Sequence, residues 1–316
     1  MKIVVLDKSN MGDDLDFSCL SEFGELKIYD NSAPDEIPKR LRDADVAVVN
    51  KLPMNGKTLF GTDVKLICEF ATGYDNIDID FCKEAGIAVS NAVNYSTDSV
   101  AQITAATVLA LYSKLFLFDK TVKAGEYSRG TSANMLTPQY SEISGKTWGI
   151  VGYGNIGKSV GKIAKALGCR VIAYKKHKTE EKDALIVSLD TLLSESDIIS
   201  LHTPLNSDTR NMIGEREVSL MKKGVVIVNE ARGGVWDESV MADALLDGRI
   251  AALGADVYTR EPMPLDHPFS RLLQCENVIL TPHMAWAAFE ARVRCIDETV
   301  KNIRAFISDE RRNRIV

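Results

Sequence analysis

Short apolar runs alternate with longer segments of helical period along the whole chain. "KIVVLD" (2–7), "LKIYD" (26–30), "VAVVN" (46–50), "LICEF" (66–70) and "IAVS" (87–90) form one series. "TWGIVG" (147–152), "RVIAY" (170–174), "IISLH" (198–202), "VVIVN" (225–229), "AALGADV" (251–257) and "VILTPH" (278–283) form a second. Runs this rich in Val, Ile and Leu predict buried strands, and the helical stretches between them predict parallel sheets in an α/β fold. Between the two series lies "STDSVAQITAATVLALYSKLFLF" (96–118), where Ser96 or Thr97 stands at the N-cap of a long, mostly apolar helix. A helix so uniformly apolar belongs in an interior, between two lobes. A last helical pattern, "AAFEARVRCIDETVKNIRAFISDE" (287–310), is expected to return to the first lobe.

Composition narrows the class of ligand. A chain of 316 residues, 45% of them hydrophobic, is long enough for one large domain or two ordinary ones with buried cores. The formal net charge of −6 comes from interspersed acidic and basic residues. It leaves no extended basic surface for nucleic acid and no cationic amphipathic segment for a membrane, so the partner is expected to be a small molecule. No apolar stretch reaches about twenty residues, and "MKIVVLDKSN" turns polar after one strand-length run, unlike a signal peptide or a transmembrane helix. Six scattered cysteines with no CxxC pair point to a reducing cytoplasm and to no metal site.

The second series opens on chemistry. In "VGYGNIG" (151–157), Gly152, Gly154 and Gly157 follow a strand and precede the helical run "KSVGKIAKALG". That strand, turn and helix is the context a dinucleotide-binding GxGxxG requires, with Asn155 and Ile156 of the loop as further candidates to bind the cofactor. The first glycine permits the turn, the second lets backbone approach a pyrophosphate, and the third lets the helix sit close to the strand. The helix N-terminus then offers N–H groups to the phosphates. About eighteen residues on, where an acid usually hydrogen-bonds the cofactor ribose, "VIAYKKHK" places Lys175. A lysine attracts a 2′-phosphate where a carboxylate would repel it, so the run favours NADP(H), with NAD(H) possible. Lys176, His177 and Lys178 add positive charge nearby.

Three further residues come directly after strands of this series, where ligands bind in open α/β sheets. They are Arg232 in "VVIVNEARGG", Glu261 in "GADVYTREP" and His283 in "VILTPH". Arginine presents a planar fork suited to a carboxylate, histidine exchanges a proton near neutral pH, and a neighbouring carboxylate holds the imidazole in one tautomer and favours its charged form. His202 also ends a strand, but Thr203 and Pro204 beside it suggest backbone contact with a cofactor. His177 and His267 lie in polar segments and read as solvated.

With these motifs in order, the chain resembles the D-isomer-specific 2-hydroxyacid dehydrogenase family over nearly its full length. The matching segments are "ATGYDNIDID", "STDSVAQ", "VGYGNIG", "LHTPLN", "NEARGG", "GADVYTREP" and "ILTPH". The resemblance implies two lobes: a flavodoxin-like substrate domain from residues 1–98 and 285–316, and an inserted Rossmann-type doubly wound parallel sheet, residues 99–284. It implies that Arg232 anchors substrate, His283 is the acid/base and Glu261 supports it. It also implies that Thr72 and Gly73 help hold the substrate carboxylate, that Ala231 lines the cofactor site, and that Asp256 contacts the nicotinamide amide. "YSTDSVAQ", "VKAGEYSRG" and "TPHMAWAAFEAR" look most like the glycerate dehydrogenase (hydroxypyruvate reductase) branch. A homodimer using a small 2-keto or 2-hydroxy acid is the implied assembly and substrate class. The resemblance also keeps open D-lactate-type and phosphite-type dehydrogenases and a dinucleotide-sensing corepressor of the same fold. Glu261 is unlike the glutamine of formate-type relatives. Two departures stand out: Lys175 replaces the acid of NAD-using members, and Glu230 occupies a position where a small or neutral residue is more usual.

Overall fold

The computed structural model describes residues 1–177 and 180–316. The chain divides into two compact units, Met1–Ser96 with Trp286–Val316, and Thr97–Ala285.

The first unit is built on a five-stranded parallel sheet. Its strands are β1 (Lys2–Val5), β2 (Glu25–Ile28), β3 (Val46–Val49), β4 (Leu66–Glu69) and β5 (Ala88–Asn91), in the order β2-β1-β3-β4-β5. Successive side chains on a strand point to opposite faces, and both faces here are covered. Ile3, Val5, Val46, Val48, Leu66 and Cys68 pack with Cys295, Ile296 and Ile303 of the C-terminal helix, Phe289–Ile307. Val4, Ala47, Val49, Ile67 and Val89 pack with Ile37 and Leu41 of α1 (Ile37–Leu41) and Cys82 of α2 (Ile79–Ala85). Two-sided burial is why β1, β3, β4 and β5 read as continuous apolar runs, whereas the edge strand β2 is largely exposed. The chain terminus closes the β5 edge: Ile315 N–H donates to the Val89 carbonyl at 2.8 Å, and Asn302 Nδ2 donates to the Asn91 carbonyl at 2.9 Å.

The second unit carries seven parallel strands: β6 (Thr147–Val151), β7 (Arg170–Tyr174), β8 (Leu185–Ile186), β9 (Ile198–Leu201), β10 (Val225–Asn229), β11 (Ile250–Ala255) and β12 (Val278–Leu280). Their order is β12-β11-β10-β9-β6-β7-β8. The chain runs outward one way from β6 and then restarts at β9 beside it, so the strand order reverses between these two. That reversal creates the crevice at the carboxyl edge where doubly wound sheets bind ligands. Every apolar run singled out above forms a strand. The two-residue β8 has no apolar run to announce it.

The apolar segment 96–118 is not one helix. It divides into α3 (Thr97–Ser113) and α4 (Leu115–Lys123), bent by 63°. Lys114 makes the break with a left-handed φ of 52°. The two helices have different surroundings: α3 buries Val100, Ala101, Ala105, Val108 and Leu111, whereas α4 exposes Leu115, Phe116 and Val122. Among the described residues no single helix is long and apolar enough to cross a membrane. The remaining helices are α5 (Glu126–Arg129), α6 (Asn155–Ala166), α7 (Leu189–Glu195), α8 (Glu215–Leu220) and α9 (Glu238–Leu246).

Candidate active site

At the carboxyl end of β6 the glycine loop is shaped by what lies against it. Gly152 has a φ of +94°, and a Cβ there would sit 2.6 Å from the backbone carbon and oxygen of His202, just past β9. A Cβ on Gly157 would fall 2.2 Å from the Gly152 carbonyl oxygen, so only glycine lets α6 seat on the turn. Gly154 is different. Its Cβ would meet nothing within 4 Å, and it stands at the N-cap of a 12-residue helix where no side chain caps the end. Space in front of a helix N-terminus, with Asn155 and Ile156 in its first turn, fits a dinucleotide pyrophosphate. Thr203 and Pro204 continue from His202 at the facing strand end, and the His202 N–H donates to the Val151 carbonyl at 2.7 Å. Among the described residues neither buried ring nitrogen of His202 has a hydrogen-bond partner, and burial pushes the imidazole down to about 3. His202 therefore stays neutral and brings no proton chemistry.

Lys175 follows β7, and its ammonium is paired. Nζ lies 2.7 Å from Glu181 Oε1, while Lys158 of α6 reaches the other oxygen of the same carboxylate at 2.9 Å. The two lysines pull the Glu181 carboxyl down to about 2. Lys176 turns to Asp208 instead, and His177 is exposed. Lys178 lies outside the described residues.

On the other side of the switch point, three strand-end loops lock together. His283 has a left-handed φ of 53°, and its turn is held by Asp256, the first residue after β11. Asp256 accepts from the Thr281 hydroxyl at 2.6 Å, from Met284 N–H at 2.8 Å and from Ala285 N–H at 2.9 Å. It is buried, and its oxygens brace the histidine turn. The Tyr258 hydroxyl adds a bond to the Thr281 carbonyl at 2.9 Å. His283 Nδ1 lies 2.6 Å from Glu261 Oε2, and Glu261 Oε1 accepts from Tyr258 N–H at 3.1 Å. With Nδ1 committed to the carboxylate, Nε2 is the nitrogen left for proton exchange.

Arg232 enters through the β10 loop. Asn229 clasps that loop by donating from Nδ2 to the Arg232 carbonyl at 3.0 Å and accepting from Ala231 N–H at 2.9 Å. A Cβ on Gly233 would lie 2.0 Å from the Tyr258 backbone, so the Arg232 turn rests directly on the loop leading to Glu261. Arg232 Nη1 donates to the Ala231 carbonyl at 2.9 Å. Glu230, between them in sequence, is buried, and burial together with the charge of Asp256 raises its carboxyl well above the usual range. The Thr104 side chain of α3 hydrogen-bonds with it. Burial disfavours the ionised form of a carboxyl at that position.

One functional neighbourhood escaped the sequence. His267, read above as solvated, is only 5% exposed. Its Nδ1 accepts from Phe269 N–H at 3.1 Å and its Nε2 donates to Glu238 at 2.8 Å. Glu238 of α9 also accepts from Thr259 N–H at 2.8 Å and from the Thr259 hydroxyl, which pins the loop just before Glu261. The flanking polar residues misled because the pair is satisfied within the fold, by Phe269 N–H on His267 and by Thr259 on Glu238. In the first unit, Thr72 and Gly73 follow β4. The Thr72 hydroxyl donates to the Ala92 carbonyl at 3.0 Å, and the Thr72 carbonyl accepts from Asn91 Nδ2 at 2.7 Å.

A dinucleotide cradle opposite a carboxylate-held histidine and an arginine defines the second unit as that of a nicotinamide-dependent oxidoreductase. Residues 105–285 match the model of the D-isomer specific 2-hydroxyacid dehydrogenase NAD-binding domain. The chain is 38% identical to a hydroxypyruvate reductase of Blautia hydrogenotrophica, with 97% of each sequence covered. It is 37% identical to a glycerate dehydrogenase of Methylorubrum extorquens, covering 99% of this chain and 98% of the relative. Among solved structures, an acyclic imino acid reductase in complex with NADPH and D-Arg superposes with a TM-score of 0.90 at 31% identity and full coverage of both chains. D-lactate dehydrogenase from Aquifex aeolicus, complexed with NAD and lactic acid, gives a TM-score of 0.85 at 32% identity over 98% of this chain and 96% of the other. The chain belongs to the D-isomer-specific 2-hydroxyacid dehydrogenase family, oxidoreductases that act on CH–OH groups with a nicotinamide dinucleotide.

Proposed function

We propose that this enzyme reduces a small 2-keto acid, hydroxypyruvate or glyoxylate, to the D-2-hydroxy acid, favouring NADP(H) and accepting NAD(H). The observation that carries the reading is the 2.6 Å contact between His283 Nδ1 and Glu261, which leaves Nε2 for the substrate oxygen. The glycine loop and the α6 N-terminus would hold the dinucleotide, which supplies the hydride when bound. Arg232 takes the substrate carboxylate in a two-pronged grip. His283 donates its proton from Nε2 to the oxygen that gains charge, and Glu261 stabilises the imidazolium before transfer. In oxidation the same nitrogen removes the hydroxyl proton. Asp256 keeps the histidine turn in place.

The names of the two relatives above support the substrate choice, and Lys175 supports the cofactor choice. The deciding experiment is a panel of 2-keto acids against NADH and NADPH, reporting kcat/KM for each pair. Hydroxypyruvate or glyoxylate should lead, and failure of every 2-keto acid would end the proposal. A second reading, reduction of the C=N bond of a 2-imino acid, is favoured by likeness to the imino acid reductase. Repeating the panel with ammonium separates the two.

A homodimer and a cytoplasmic location complete the reading. Exposed Leu115 and Phe116 of α4, with Leu136 and Tyr140 beyond it, offer an apolar face for a second copy. Light scattering should give twice the chain mass. The six cysteines are free thiols, which suits a reducing compartment.

A further inference from the structure

Lys175 does not await a phosphate with an unoccupied charge. Its ammonium and that of Lys158 converge on the two oxygens of one carboxylate, at 2.7 and 2.9 Å, and Glu181 is well sheltered, with its side chain 14% exposed. The place is defined by the fold. Lys175 is the first residue past β7, Gly152 N–H donates to the carbonyl of the preceding Tyr174 at 2.9 Å, and Lys158 lies in the first turns of the helix that the glycine loop begins. The carboxyl end of this strand, beside the glycine loop, is where a dinucleotide fold presents its adenosine ribose. An anion held there by two lysines stands where a 2′-phosphate would be bound. The other described lysine of the run does not compete for this spot, because Lys176 pairs with Asp208.

Resting on the dinucleotide-dependent reduction proposed above, we infer that Glu181 sets the NADPH to NADH preference by competing with the cofactor 2′-phosphate for Lys175 and Lys158. Binding of NADPH exchanges one anion for another on the two ammoniums. The gain is therefore smaller than two new charge-assisted bonds would give. Binding of NADH leaves Glu181 in place. The lysines stay neutralised, and the carboxylate remains beside the ribose hydroxyls as an acceptor. The wild-type enzyme then uses both cofactors, with a preference within about tenfold, where an unopposed lysine pair would give more. The acid that the family places at the strand end has thus moved to the loop that follows, and it is shared between two lysines.

The test measures dissociation constants of NADPH and NADH on the full chain by nicotinamide fluorescence, for wild type, Glu181→Gln and Glu181→Ala. Adenosine 2′,5′-bisphosphate and 5′-AMP serve as competitors that differ only in the 2′-phosphate. Both variants should tighten NADPH and the bisphosphate by about five- to twentyfold, and change NADH and 5′-AMP by less than about twofold or weaken them. Added salt should shrink the gain. A preference unchanged in both variants, or NADPH weakened in both, overturns the inference while leaving the 2-keto acid reduction standing. Absence of binding by either dinucleotide in all three proteins overturns the inference together with the reading on which it rests.

Discussion

The carboxyl edge of the seven-stranded sheet holds two glutamates paired to basic side chains, and the two pairs are built in opposite ways. At the β11–β12 end, Glu261 has backbone on its second oxygen, and its histidine sits on a turn fixed by three bonds to Asp256. Around β7, Glu181 is held by two lysine side chains, each a flexible four-carbon stem carrying a point charge. The first arrangement fixes a nitrogen in space, as proton transfer requires. The second fixes a charge without fixing a direction, which suits an anion that can be exchanged for another. Glu230 is a third case after a strand of the same sheet: a buried carboxyl whose pKa burial raises well above the usual range.

The contrast is broken most strongly at Arg232. Arg232→Lys keeps the charge but not the planar fork, so kcat/KM for the 2-keto acid should fall by about ten- to a hundredfold with NADPH affinity unchanged. Equal loss in cofactor binding would place Arg232 on the dinucleotide instead. Glu261→Gln keeps a hydrogen-bond acceptor on His283 Nδ1 and removes only the carboxylate charge. The rate of reduction should drop by about tenfold with the NADPH dissociation constant unchanged. Full activity would mean that Glu261 acts through shape alone. Lys175→Asp adds a second carboxylate beside Glu181, so NADPH KM should rise by about tenfold while NADH KM stays within about twofold. Should the two cofactors weaken equally, the β7 end has no say in the choice.

The smallest effect is on stability and sharpens the third case. Glu230 carries a folded-state pKa raised by burial, above an unfolded value of about 4.3. Folding therefore retains a proton that the unfolded chain releases, and wild-type stability declines as pH rises above that unfolded value. Glu230→Gln cannot ionise, so its melting temperature should match wild type near pH 4 and exceed it by about 2–4 °C at pH 8. Melting curves at the two pH values decide it, and an equal difference at both would show that Glu230 does not titrate on unfolding.

What the sequence disclosed depends on how local the cause is. Strands buried on both faces, such as β3, β4 and β10, announce themselves as apolar runs, and the half-exposed β2 and β12 were legible from short apolar runs beside turn residues. The glycine loop was legible because Gly152 and Gly157 answer contacts that any Cβ would violate, while Gly154 leaves open the space before the α6 N-terminus. Lys114 carries no helix-breaking chemistry, so the bend between α3 and α4 was not. His267 and Glu181 were missed for another reason. Their roles come from partners far along the chain or on other elements, Glu238 for one and Lys158 for the other, and no spacing rule links them. Lys175 was visible as a cation after β7, but its counterion Glu181 was invisible until the chain was folded.

The division of labour between the two ends is tested most directly by a single turnover of His283→Ala. Enzyme loaded with saturating NADPH is mixed with hydroxypyruvate, and the nicotinamide absorbance is followed beside an independent measurement of NADPH affinity. The account predicts hydride transfer slowed by about 10²–10⁴-fold with the dissociation constant of NADPH unchanged. Transfer within about fivefold of wild type, or an equal loss of NADPH affinity, would contradict it.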